Sequence, residues 1–167
     1  MSFISKWSPN ARQLDIVILK LEKSLEFGTS VKPACLPSVD FEPALKSKCF
    51  TSGWGHIAYA PPELVYKPPP EEDLRWTDIY ITDAGYCQNK SIVTNEMICA
   101  NSIDGKNACQ GDSGGPLICL ENGLPVLTGV TSFGEKCGKP PGIFTRVTSY
   151  LSWIKSQMVC TSSDLKF

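Results

Sequence analysis

Asn107-Ala108-Cys109-Gln110-Gly111-Asp112-Ser113-Gly114-Gly115-Pro116-Leu117 is the most informative stretch of the chain. Within it, Gly111 to Gly115 satisfies the G-x-S-x-G spacing of a nucleophile elbow, a turn that lifts a serine Oγ clear of the backbone. The elbow belongs to folds in which a histidine follows the serine, and no histidine follows Ser113. Taken alone, the spacing therefore favours a glycine-rich turn with a surface serine.

Outward from this run, the chain is punctuated by Gly and Pro, and the stretches between are short and rich in β-branched and aromatic residues. Strands are expected at 16–21, 75–81, 116–120, 126–133 and 142–147. Many short strands joined by turns indicate an all-β sandwich or barrel. Residues 57 to 73 carry Pro61-Pro62 and Pro68-Pro69-Pro70 beside Glu71, Glu72 and Asp73, the composition of an extended solvated loop. Near the end, Thr148 or Ser149 is placed to cap a short helix whose Leu151, Ile154 and Met158 share one face. That is the one helix the pattern supports.

The 167 residues hold 16 Lys+Arg against 17 Asp+Glu, a net charge of −1, and 42% apolar residues. This is one domain's worth of chain. No basic field exists to attract nucleic acid or an anionic membrane surface, and no apolar run is long enough for a membrane span. Eight cysteines persist as disulfides in an oxidising compartment, which points to an extracellular protein. Yet Met1-Ser2-Phe3-Ile4-Ser5-Lys6-Trp7-Ser8-Pro9-Asn10 contains no secretory apolar run. An N-terminal part of a longer protein is therefore expected to be missing.

Gly111-Asp112-Ser113-Gly114-Gly115-Pro116-Leu117, with Cys109 just upstream, resembles the nucleophile loop of the chymotrypsin/trypsin family of serine endopeptidases. Other segments resemble the same family in its order: 15–21 around the triad aspartate, 31–37 as the inter-barrel linker, 51–55 as the strand entering the second barrel. Met97 to Ala100, Val130 to Gly134 and Pro141 to Val147 resemble its substrate-pocket strands. The resemblance implies a trypsin-like antiparallel β-barrel, the complete second barrel plus the last strand of the first, with a short C-terminal helix. It divides the chain into 1–155, a partial protease domain (1–36 first-barrel remnant and linker, 37–155 second barrel and helix), and a tail at 156–167. It implies that Ser113 is the acyl-forming nucleophile and that the N–H groups of Gly111 and Ser113 form the oxyanion hole. Asp15 becomes the carboxylate that orients the catalytic imidazole, and Asp112 the one that pairs with the amine freed by activation cleavage.

The base is where the pattern breaks. The family carries its histidine in an Ala-Ala-His-Cys segment before the aspartate, and this chain has only His56, just after Gly53-Trp54-Gly55. His56 is read as a solvent-exposed loop residue rather than as the third member of a triad with Asp15 and Ser113. The chain alone is thus expected to be inactive. The alternative is a non-catalytic protease homologue that acts as a binding module.

Family pocket positions fall on Asn107 at the base, on Gly134 and Gly142 as walls, and on Ser132-Phe133-Gly134 as the strand that pairs with a protein or peptide substrate. Asn107 lacks the charge to recruit Arg or Lys, so large neutral or aromatic side chains are expected. From sequence alone the cysteines allow roughly a hundred pairings; the resemblance selects Cys49–Cys119, Cys87–Cys99 and Cys109–Cys137. Cys35 is left free, joined to Cys160, or directed at a missing first-barrel segment or propeptide. Asn89-Lys90-Ser91 is a glycosylation sequon. No cofactor or metal is expected, since a lone histidine makes no ligand cluster.

Overall fold

The computed structural model describes residues 2–5, 15–57, 72–89, 93–136 and 139–158. Its strands are β1 (Ser2–Ser5), β2 (Val17–Lys20), β3 (Lys48–Gly53), β4 (Arg75–Ile81), β5 (Met97–Asn101), β6 (Pro116–Glu121), β7 (Leu124–Lys136) and β8 (Lys139–Arg146). β1 and β2 form a separate antiparallel pair, with Phe3 opposite Leu19. The other six close into an antiparallel barrel in the order β3-β4-β5-β8-β7-β6.

Closure rests on the β3–β6 seam, where Phe50 lies opposite Ile118 and Thr51 opposite Leu117. The next position along the same register brings Cys49 to Cys119, and the two form a disulfide across 70 residues of sequence. A cross-link of that span removes about 4 kcal/mol of chain entropy from the unfolded state. Alternation along the strands turns Ile79, Ile81, Ile98, Ala100, Leu117 and Phe144 inward around this disulfide. A second cluster gathers Cys87, Val93, Met97, Cys99 and Ile143, with Cys87 bonded to Cys99. Cys109 is disulfide-bonded too; its expected partner Cys137, like Cys160, lies outside the described residues.

The expected strands at 75–81 and 116–120 are present, and those at 126–133 and 142–147 belong to the longer β7 and β8. β6 turns into β7 at Asn122-Gly123, where both residues have positive φ, 51° and 80°. Paired left-handed residues match the twist of a two-residue hairpin, and Asn-Gly is the sequence that adopts them most easily.

The C-terminal helix differs from expectation in both cap and length. A 3-10 turn at Val147–Tyr150 leads into α2 (Leu151–Gln157), whose N-cap is Tyr150 and has no side-chain capping bond. Neither Thr148 nor Ser149 caps it, because burial of Val147, Tyr150 and Leu151 against the barrel sets where the helix begins. Its end at Gln157 lies past the expected tail boundary at 155. A further short helix, α1 (Ala84–Gln88), starts where Asp83 Oδ1 accepts a hydrogen bond from the Tyr86 N–H at 3.3 Å. Most of the proline-rich segment at 57–73 lies outside the described residues.

Candidate active site

Ser113 is exposed at the tip of the turn between Cys109 and β6. The turn is tightened by two of its own bonds, Asp112 N–H to Cys109 O at 3.0 Å and Gly115 N–H to Asp112 O at 2.8 Å. It is then fixed to β7 by a reciprocal pair: Gly114 N–H donates to Thr131 O at 2.9 Å, and Thr131 N–H donates to Gly115 O at 2.8 Å. Gly111 has φ +97°, a conformation open to glycine and costly to residues with a Cβ. The N–H groups of Gly111 and Ser113 take no part in the turn's hydrogen bonds.

The next residue along β7 carries the other half of the site. Ser132 Oγ donates to Asp15 Oδ2 at 2.6 Å, and Thr145 Oγ1 of β8 donates to the Asp15 carbonyl at 2.8 Å. Nucleophile loop and carboxylate are therefore anchored on adjacent residues of one strand. β7's ladder to β6 ends at Val130, and from Thr131 onward its strand partner is β8. Ser132, Phe133 and Gly134 thus lie where β7 has an unpaired edge among the described residues.

Asp112 points away from the serine. Its Oδ1 accepts from the Gly55 N–H and its Oδ2 from the Cys109 N–H, both at 2.8 Å. Gly53 and Gly55, which the sequence gave no reason to single out as supports, are spaced to leave room for this carboxylate. His56 departs from its expected place. It is half-buried; its N–H donates to Gln110 O at 2.9 Å, and its Nδ1 is buried without a hydrogen-bond partner among the described residues. The cause is the pair of bonds from Gly55 and His56, which fastens the 53–56 turn onto the nucleophile loop. His56 and Asp112 both line a cleft of about 500 Å³, with Arg75, Trp76, Lys106 and Asn107 among its other walls.

Asn107 is half-buried, with Oδ1 fully buried and unpartnered among the described residues. Gly134 lies opposite Gly142 in the β7–β8 register. Just before Asn107, Lys106 Nζ meets Asp104 Oδ2 at 2.6 Å. The hydrogen bond between them holds Asp104 below the usual carboxylate range and Lys106 above the usual lysine range. Asn89 is exposed at the end of α1, and Cys35 is an exposed free thiol. No group of three or more His, Cys, Asp or Glu among the described residues is arranged to hold a metal ion.

Residues 2–154 match the family model described as Trypsin. The chain belongs to the trypsin family. It is 38% identical over 164 residues to transmembrane protease serine 9 of Rattus norvegicus, covering 95% of this chain and 15% of that protein. Kallikrein-1 of Mus musculus is 40% identical over 167 residues, covering 95% of this chain and 59% of that one. Serine protease 41 of Homo sapiens is 33% identical over 154 residues, 86% of this chain and 47% of that one. Among solved structures, mouse neuropsin, titled a serine protease expressed in the limbic system of the brain, superposes with a TM-score of 0.82 at 32% identity. That match covers 95% of this chain and 70% of the neuropsin chain. The trypsin-family chain described here thus spans 15% to 59% of the curated relatives it matches. No helix among its described residues is long and apolar enough to cross a membrane.

Proposed function

We propose that this chain is the nucleophile-bearing part of a secreted serine endopeptidase, with Ser113 as nucleophile, Asp15 as orienting carboxylate and the catalytic imidazole supplied by a first-barrel segment outside the 167 residues. The carrying observation is the shared anchorage on β7, where Thr131 holds the Ser113 loop and Ser132 holds Asp15. In the reaction, the imidazole takes the hydroxyl proton as Ser113 Oγ bonds to the scissile carbonyl carbon. The Gly111 and Ser113 N–H groups stabilise the oxyanion. The C–N bond then breaks, the leaving amine takes the proton from the imidazolium, and water releases the acyl group by the reverse sequence.

His56 does not serve as that base. Its backbone is bonded to Gln110, and its ring lines the cleft that holds Asp112, whereas the Asp15 carboxylate is bonded to Ser132. The Asp15–Ser113 pair alone retains only binding and oxyanion stabilisation, a loss on the order of 10⁴ to 10⁶ in rate against a full triad. Residues 1–36 act as first-barrel remnant and linker and 37–155 as the second barrel. The exposed apolar residues Val17 and Leu19 are the surface on which the first-barrel segment packs. Bonded Cys49, Cys119, Cys87 and Cys99 fit an extracellular protein, as does a glycan on exposed Asn89.

A fluorophosphonate probe tests the reading. The chain alone is expected to leave Ser113 unlabelled, and the chain co-refolded with a first-barrel segment carrying the Ala-Ala-His-Cys motif is expected to be labelled there. Strong labelling of the isolated chain would overturn the assignment of the base. Failure of the co-refolded pair to label would favour the non-catalytic binding homologue.

A further inference from the structure

We propose that the slot between Gly134 and Gly142 takes a neutral side chain that ends in a hydroxyl, tyrosine foremost, and that the Asn107 carboxamide selects it. This rests on the reading of that slot as the substrate pocket, and it names the substrate class that the pocket accepts.

Asn107 Oδ1 is buried and has no hydrogen-bond partner among the described residues. Buried polar groups are almost always paired, and one left orphaned at a recognition surface marks where a partner arrives. Its neighbourhood supplies none. A Cβ built on Gly142 would lie 3.4 Å from Asn107 Oδ1, 3.3 Å from Phe144 Cε2 and 3.1 Å from Ala100 O. The wall beside the carboxamide is therefore glycine backbone and an aromatic edge. Gly142's own N–H is committed to Asn101 Oδ1 at 3.3 Å. On the facing wall, a Cβ on Gly134 would meet Pro141 O at 3.0 Å, so neither wall can carry a side chain that would close the slot.

Charge narrows the class. Lys106 is paired with Asp104, and both Asp112 oxygens accept from the Gly55 and Cys109 N–H groups on the other side of the loop. A basic side chain would meet a neutral amide and no carboxylate assigned to it, at a desolvation cost that nothing offsets. A purely apolar side chain would fill the slot and leave the amide orphaned. A phenolic hydroxyl both donates and accepts, so it pairs with either end of the carboxamide. A site built to hydrogen-bond a hydroxyl discriminates strongly against the isostere that lacks it.

The test needs no turnover. The ¹⁵N-labelled chain is titrated with p-cresol and with toluene, the side-chain isosteres of Tyr and Phe, while the amides of Asn107, Gly134 and Gly142 are followed. p-Cresol is expected to shift these amides and to bind about tenfold tighter than toluene. The difference should vanish in Asn107→Leu and Asn107→Ala, each judged folded by unshifted amides of Ile98 and Phe144. Equal binding of the two probes, a preference that survives in a folded variant, or no shift by either probe would overturn the proposal. Fluorophosphonate labelling of Ser113 reads the catalytic assignment independently, so the failure of one does not imitate the failure of the other.

Discussion

A Cβ built on Gly53 would stand 2.0 Å from Asp112 Oδ1, and one on Gly55 would stand 2.5 Å from the same atom. Neither distance is tolerable, and the near atom belongs to a carboxylate held by two peptide N–H groups rather than to the loose end of a flexible chain. Gly55→Ala should therefore expel the carboxylate, orphan the Cys109 N–H and loosen the turn that presents Ser113. The expected cost is about 1–3 kcal/mol, read as a shift in the urea midpoint. Because the clash lies with one side chain, Asp112→Ala should absorb part of it. The double variant is expected to lose clearly less than the sum of the two single losses, and simple additivity would show that Gly55 acts through something other than Asp112.

At the scale of elements, the turn that leads into β5 is tied to the end of β8. Thr94 Oγ1 donates to Glu96 Oε2 at 2.6 Å, Glu96 O accepts from the Arg146 N–H at 2.7 Å, and the Arg146 guanidinium donates to Asn95 O at 2.9 Å and Met97 O at 3.0 Å. The Thr94 hydroxyl lowers the Glu96 pKa below the ordinary carboxylate range, since a hydrogen bond to the ionised form favours it. A depressed folded-state pKa contributes stability that is present above the unfolded value and is lost as pH falls through the folded value. Thr94→Val should return Glu96 to the ordinary range in an NMR titration. It should lower stability slightly at neutral pH, and the difference should close in acid; a gap that stays constant with pH would sink the assignment. The elements themselves were unevenly legible. Arg75–Ile81 and Pro116–Glu121 could be read because their β-branched and apolar residues are bounded by charge, proline or turn residues. β1 offered four residues with no turn signal of its own, and β2 is its pairing partner. α1 is a five-residue helix whose signal is one capping aspartate, too little to weigh against the surrounding strand pattern. Of the site, Ser113 and Asp15 were legible as motif positions. The Ser132–Asp15 bond was not, because it joins residues 117 apart in sequence, and the seating of His56 depends on contacts with a loop more than fifty residues away.

At the scale of the whole molecule, stability should fall steeply from the barrel to the β1–β2 pair. The barrel is closed, stapled by Cys49–Cys119 across its seam, and filled by side chains such as Ile79, Leu117 and Phe144 that are fully buried. β1–β2 has two strands, and on β2 Val17 is 49% and Leu19 45% exposed. An isolated two-stranded ribbon is marginal in water. Its link to the barrel among the described residues runs through the neighbouring Asp15, held by Ser132 and Thr145. Amides of Ile98 and Phe144 should then exchange hydrogen only through global unfolding, and those of Val17 to Lys20 through local opening at a free energy near zero. Asp15→Ala should speed exchange in β2 further while leaving Ile98 and Phe144 unchanged, because it cuts the Ser132 tether without touching the core. A first-barrel segment that packs on Val17 and Leu19 should slow β2 exchange and leave the barrel core as it was. Protection of β2 equal to that of β5 in the isolated chain would mean that the pair is stabilised by contacts other than this tether. The apolar face of β2 would then not be the surface on which the first-barrel segment packs.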